Sequence, residues 1–146
     1  GVTYYSGSYT QNGPMTLPAG VYKLDDFNFT GGTVTLTGDV DIYVSDDMAM
    51  SGTANFNTNN GQYECRIYMT GSTSTFTHTG SGTSYIGLYA PRTDVTISGG
   101  AINGSIIAKT LSVSGGAKVR YSDKVPNEVG PTAGTLSTGG GISSVK

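Results

Sequence analysis

Val95-Thr96-Ile97-Ser98-Gly99-Gly100-Ala101 recurs sixteen residues later as Leu111-Ser112-Val113-Ser114-Gly115-Gly116-Ala117, with Ile106-Ile107-Ala108 between the copies. Both copies alternate apolar and polar residues, the period-2 signature of a strand with one buried face, and both end on a glycine pair able to turn a corner. A unit this short leaves no room for a helix. Two strands and two turns at a period near twenty make one rung of a β-solenoid, in which no rung buries its apolar face alone and stacking builds the core. The sequence therefore predicts an all-β chain folded as a single-domain parallel β-helix of about five rungs.

Earlier rungs follow the same logic. Phe27-Asn28-Phe29-Thr30-Gly31-Gly32 supplies one face, Thr33 to Thr37 a second with Val34 and Leu36 inward, and Val40-Asp41-Ile42-Tyr43-Val44 a third. Met48-Ala49-Met50, Ala54-Asn55-Phe56 and Arg66-Ile67-Tyr68-Met69 repeat that order after the polar loop Asn57 to Gln62, and Tyr85 to Ala90 continues it. Residues 1–18, irregular and punctuated by Gly13-Pro14 and Leu17-Pro18, are expected to cap the first rung; 19–123 form the solenoid. Residues 124–146 form a Gly/Ser/Thr-rich extension, either a linker or a segment that adds to a sheet edge through Ile142 and Val145.

Composition narrows the function classes. Only 12% of the residues are charged, against about 25% in an ordinary globular domain. A net charge of -2 gives phosphate no electrostatic driver, so nucleic acid is not an expected partner. No apolar run reaches the roughly 20 residues of a membrane span, and the first residues carry neither a basic n-region nor an apolar h-region. Cys65, the only cysteine, lies in a strand-like run and is expected in the core.

Leu17-Pro18-Ala19-Gly20-Val21-Tyr22, Phe29-Thr30-Gly31-Gly32-Thr33-Val34, Gly87 to Val95 and Gly104 to Leu111 carry a family resemblance. Over Pro18 to Asp123 the chain resembles the β-solenoid domain of bacterial surface proteins, including PilX-like pilus-assembly proteins and, more distantly, choice-of-anchor adhesins and polymer-forming bactofilins. The resemblance implies a right-handed coil and an extracellular or cell-surface structural module without enzymatic activity.

Few residues suggest chemistry. His78 is the only histidine; alternation puts it on the side of Phe76 or at the following turn, and it is read as a turn or surface residue. One imidazole and one thiol do not make a closed zinc site. Polysaccharide-active β-helices pair carboxylates on neighbouring rungs, whereas the acids here gather at turns. Asp25-Asp26 and Asp46-Asp47 share the offset that relates Phe27 to Met48, so the pairs are expected to stack, either as solvated carboxylates or as a calcium site. No other cofactor is expected.

The outward residues are more informative. Ile42-Tyr43-Val44, Ile67-Tyr68-Met69 and Leu88-Tyr89-Ala90 point their tyrosines outward, with Ile107 next in line, to form an aromatic ladder. Such a stripe is covered by a terminal extension, contacts another protomer or stacks on sugar rings. A second outward set, Thr33, Thr35 and Thr37 with Thr53 and Asn55, resembles a short ice-binding array. The expected function is a non-enzymatic structural module of a bacterial surface or pilus-like assembly that associates with itself into a filament or with other surface proteins. A carbohydrate-binding module using the tyrosine ladder is the alternative, and a polysaccharide-active enzyme the third reading.

Overall fold

The computed structural model describes residues 2–56 and 62–121. Ile142, Val145 and the extension over 124–146 lie outside the described residues, as does most of the Asn57 to Gln62 loop. The chain winds as a parallel β-solenoid of about six turns, one more than the sequence suggests. The first turn is β1 (Val2–Asn12) and β2 (Met15–Leu17), and the second is β3 (Gly20–Gly31) and β4 (Thr33–Leu36). The third contains β5 (Val40–Val44), β6 (Met48–Met50) and β7 (Asn55–Phe56); the fourth contains β8 (Cys65–Met69) and β9 (Thr75–His78). Then come β10 (Thr83–Ile97), β11 (Ala101–Val113) and the short β12 (Lys118–Arg120).

Every pairing is parallel, and three faces emerge from the register. On the first, Tyr22, Ile42, Ile67, Leu88 and Ile106 form one inward column. On the second, Phe27, Met48, Phe76, Val95 and Leu111 stack, and beside them Phe29, Met50, His78, Ile97 and Val113. The third begins with β2, β4 and β7, which align Met15 with Val34 and Val34 with Phe56. It passes to the start of β10, where the Ser84 hydroxyl accepts the Phe56 N–H at 3.0 Å, and on through Ile102 and Val119. In β10 and β11 the third face runs straight into the first, which removes a corner and explains the shortening rungs.

The alternation is what makes this core. Val40, Ile42 and Val44 are buried while Asp41 and Tyr43 between them are not, and Cys65, Ile67 and Met69 repeat the pattern. Phe27, Phe29 and Phe56 fill the wide early turns, with Phe56 meeting both others edge-on. Each fully buried Phe, Leu or Ile contributes roughly 1.5–3 kcal/mol relative to exposure. Burial, with the Asp41 carboxylate as a second cause, pushes the Cys65 thiol up to about 12, so it packs as a small apolar group.

The glycine pairs make the corners. Gly100 adopts a φ of +65° with its α-carbon against the Gly82 carbonyl of the turn beneath, where a β-carbon would collide with backbone. Gly115 repeats this against Ser98, with a φ of +60°. The duplicated sequence is therefore a duplicated corner.

Two expectations are corrected. The N-terminal segment does lie at the end of the coil, but as strand β1 laid parallel on β3 from Val2↔Val21 to Asn12↔Gly31, and not as an irregular cover. His78 is not a turn or surface residue: it is fully buried in the column between Met50 and Ile97. Its Nδ1 lies 3.0 Å from the Gly99 carbonyl, which fixes Nδ1 as the protonated nitrogen, while Nε2 is buried with no hydrogen-bond partner.

Candidate functional site

Outside the first face, register lines up Tyr4, Lys23, Tyr43, Tyr68, Tyr89 and Ile107 across β1, β3, β5, β8, β10 and β11. The four residues expected from the sequence stand together as expected. Tyr43 and Tyr68 stack with centroids 4.7 Å apart and planes within 12°, while Tyr89 turns to meet Tyr68 edge-on at 6.1 Å and 62°. All three rings are half-buried. Where neighbours stack face to face, the ladder shows solvent its edges and hydroxyls, so a long sugar-stacking platform does not result.

Sequence reasoning missed the other two members, Tyr4 and Lys23. Lys23 occupies the rung between two tyrosines, its Nζ 5.5 Å from the Tyr4 centroid and 5.8 Å from that of Tyr43. The signal was available, since Tyr22-Lys23-Leu24 has the same inward-outward-inward pattern as Ile42-Tyr43-Val44. Next to this rung a groove of about 380 Å³ opens between the ladder and the Asp25 corner.

A polar rail runs beside the rings. The Arg66 guanidinium donates from Nε to Asp41 at 2.7 Å and lies 3.4 Å from Glu64. Burial, then the Asp41 carboxylate, holds the Tyr68 hydroxyl above its ordinary value, so that hydroxyl stays protonated at neutral pH.

The acidic corner forms as expected. Asp26, Asp46 and Asp47 each bring a carboxylate oxygen within 4.8 Å of the others, and Asp25 adjoins them. Most of these carboxylates have structural work. Asp25 accepts the Gly7 N–H at 2.7 Å; Asp26 accepts the Asp47 N–H at 3.1 Å and the Ser8 hydroxyl at 2.9 Å; Asp47 accepts the Thr75 N–H at 2.8 Å. Asp46, exposed like Asp25 and Asp47, is held above its ordinary carboxylate value chiefly by Asp26, then by slight desolvation, Asp47 and Asp25. A calcium ion wants six to eight oxygens, so one bound here would draw most of its shell from water.

The threonine array does not extend. Thr35 pairs with Thr16, but Thr33 pairs with Asn55, and higher on the third face Asn103 pairs with Arg120.

The two ends of the coil remain. Among the described residues β1 pairs with β3 and with no other strand, leaving Val2 and Tyr4 exposed. Behind it the core opens into a small apolar mouth that includes Met15, Leu17 and Phe27. At the other end β12 pairs with β11 only at Ala101–Asn103; Ile106, Leu111, Ala117 and Val119 are partly buried at the core's edge, and Val113 is 41% exposed.

No helix among the described residues is long and apolar enough to cross a membrane. Neither the curated proteins nor the solved structures contain a match to the chain. A family model does: a domain of unknown function, DUF7305, matches residues 10–128, from the outer end of β1 past β12. With most of its length matched, and with that match spanning nearly all of the coil, the chain belongs to the DUF7305 domain family.

Proposed function

We propose that this chain is a non-enzymatic structural module of a bacterial surface or pilus-like assembly, acting outside the cell and joining copies of itself end to end. The observation that carries the reading is the match between the two ends. Among the described residues the coil ends in parallel strand edges at β1 and at β11–β12, with an apolar mouth behind β1 and partly buried apolar residues at the far end, and an open edge is a template for another strand. Laying β1 of one copy on β11 of the next continues columns of the first two faces: Tyr4 falls on Ile107, and Gln11, which stands in the Phe29 column, falls on Val113. Such a heterologous contact repeats without closing and yields a filament. Low charge and a Thr/Ser/Gly-rich surface suit a module of this kind, as does the resemblance to bacterial surface solenoids.

Light scattering and negative-stain electron microscopy on the full chain test this directly. Assemblies that lengthen with concentration and shorten in Val113→Lys are expected, because a lysine at the exposed end of that inward column opposes the burial that strand addition would require. A monomer at every concentration would overturn it.

A further inference from the structure

The ladder is interrupted once by a residue without a ring, at Lys23, and the groove opens at that interruption. We propose that the groove is a binding site for one uncharged sugar ring. Tyr43 and Tyr68 stack face to face; on the side of Tyr43 away from Tyr68 the lysine ammonium lies 5.8 Å from the ring centroid, and Tyr4, on the far side of Lys23, is 69% exposed. The groove therefore offers aromatic faces to the C–H side of a pyranose, while the strand spacing of about 4.8 Å is close to the length of one such ring.

The polar groups around it suit vicinal hydroxyls. Ser45 donates its hydroxyl to Asp25 Oδ1 at 3.2 Å, and Thr70 donates to the Val44 carbonyl at 3.3 Å, so both hydroxyl oxygens keep lone pairs for a ligand. Asp25 accepts one protein bond on each oxygen, and an ionised carboxylate has room for about four. The Lys23 ammonium is the donor. The lining itself holds one cation and one carboxylate, with the acidic corner behind Asp25, which disfavours a uronate and suits a neutral polyhydroxylated ligand. At about 380 Å³ the groove lies within the ordinary range of small-ligand sites, roughly 300–1,000 Å³. The site belongs to a single copy and does not depend on end-to-end association.

The chain contains no tryptophan, so emission comes from its ten tyrosines, and the Tyr43→Ala difference isolates the groove's share. Titration of the full chain with soluble neutral gluco-, manno- and chito-oligosaccharides should give saturable emission changes for at least one of them. Affinity should fall about tenfold or more in Tyr43→Ala, a loss of roughly 1.4 kcal/mol. Asp25→Asn, which keeps the ring in place, should weaken the same sugar, whereas Tyr89→Ala, farther along the same ladder, should leave it unchanged. Absence of saturation with every neutral probe would overturn the proposal. So would equal loss in Tyr89→Ala, which would assign binding to the ladder as a whole, or tighter binding of galacturonate oligomers, which would contradict the charge balance.

Discussion

Tyr43 and Tyr68 lie on adjacent rungs with centroids 4.7 Å apart and planes within 12°, a stack built by register and not by any turn or cap. Tyr68 touches Tyr43 with its face and also meets Tyr89, so Tyr68→Ala removes two ring contacts and half-buried area. Aromatic pairs are worth about 0.5–1.5 kcal/mol beyond burial, which puts the expected loss on the order of 2 kcal/mol in urea unfolding. Tyr68→Phe keeps both contacts and should fall within about 0.5 kcal/mol of the parent. A near-neutral alanine variant would show that the stack contributes nothing.

His78 makes stability fall with acid. Its folded pKa is lowered below 6.5, mainly by desolvation against the partial support of the Gly99 carbonyl, so the unfolded chain binds the proton more readily. The contribution is therefore fully present above 6.5 and is lost as the pH falls through the folded value. His78→Met, matching Met50 beneath it, should abolish that dependence and lie within about 1 kcal/mol of the parent at neutral pH, since it removes an unpaired buried nitrogen together with one hydrogen bond. Parallel pH–stability curves for the two proteins would contradict this.

Gly100→Ala is expected to be among the most damaging single-methyl changes in the chain. The left-handed φ alone costs about 1–2 kcal/mol for a residue with a β-carbon. The new methyl also meets the Gly82 carbonyl, a backbone atom that cannot swing aside. A loss of about 3 kcal/mol or more, read from the denaturation midpoint, is expected. Gly116→Ala, where nothing lies within 4 Å, should cost only the φ penalty of about 1–2 kcal/mol.

Asp46→Asn should stabilise the protein at neutral pH. The folded pKa of Asp46 is raised, chiefly by Asp26, so its favourable contribution exists below its unfolded value of 3.8 and disappears as the pH rises through the folded value. Repulsion among the corner carboxylates then remains at neutral pH. Thermal midpoints should be higher for the asparagine variant at pH 7, and the gap should narrow in salt or in acid. A lower midpoint at pH 7 would mean that Asp46 has an attractive partner.

Alternation along single strands made most of the coil legible. Ile42-Tyr43-Val44, Ile67-Tyr68-Met69 and Leu88-Tyr89-Ala90 fix both their inward residues and the ladder, and the shared offset of Phe27/Met48 and Asp25/Asp46 placed the acidic corner. His78 was misplaced because its residue type outweighed its position: Thr75-Phe76-Thr77-His78 puts it on the Phe76 side, which is the core. Lys23 escaped notice for the converse reason, a charged residue in a column otherwise read by its rings. β1 hid for a physical cause. A terminal strand has neighbours on one side only, so nothing requires the strict apolar period that marks strands within the stack, and a Ser/Gly/Thr/Tyr sequence suffices.

Cys65 gives the molecule an internal clock. The sole sulphydryl of the chain is sealed in the fourth turn, with Val40 of the third in register beside it and none of its surface exposed. Its described neighbours are strands of the middle turns, so fraying of the terminal strands or motion at the groove leaves it covered, and a thiolate reagent reaches it when the coil opens around β8. Modification kinetics of the native protein would thus time the opening of the coil's middle, separately from events at either end.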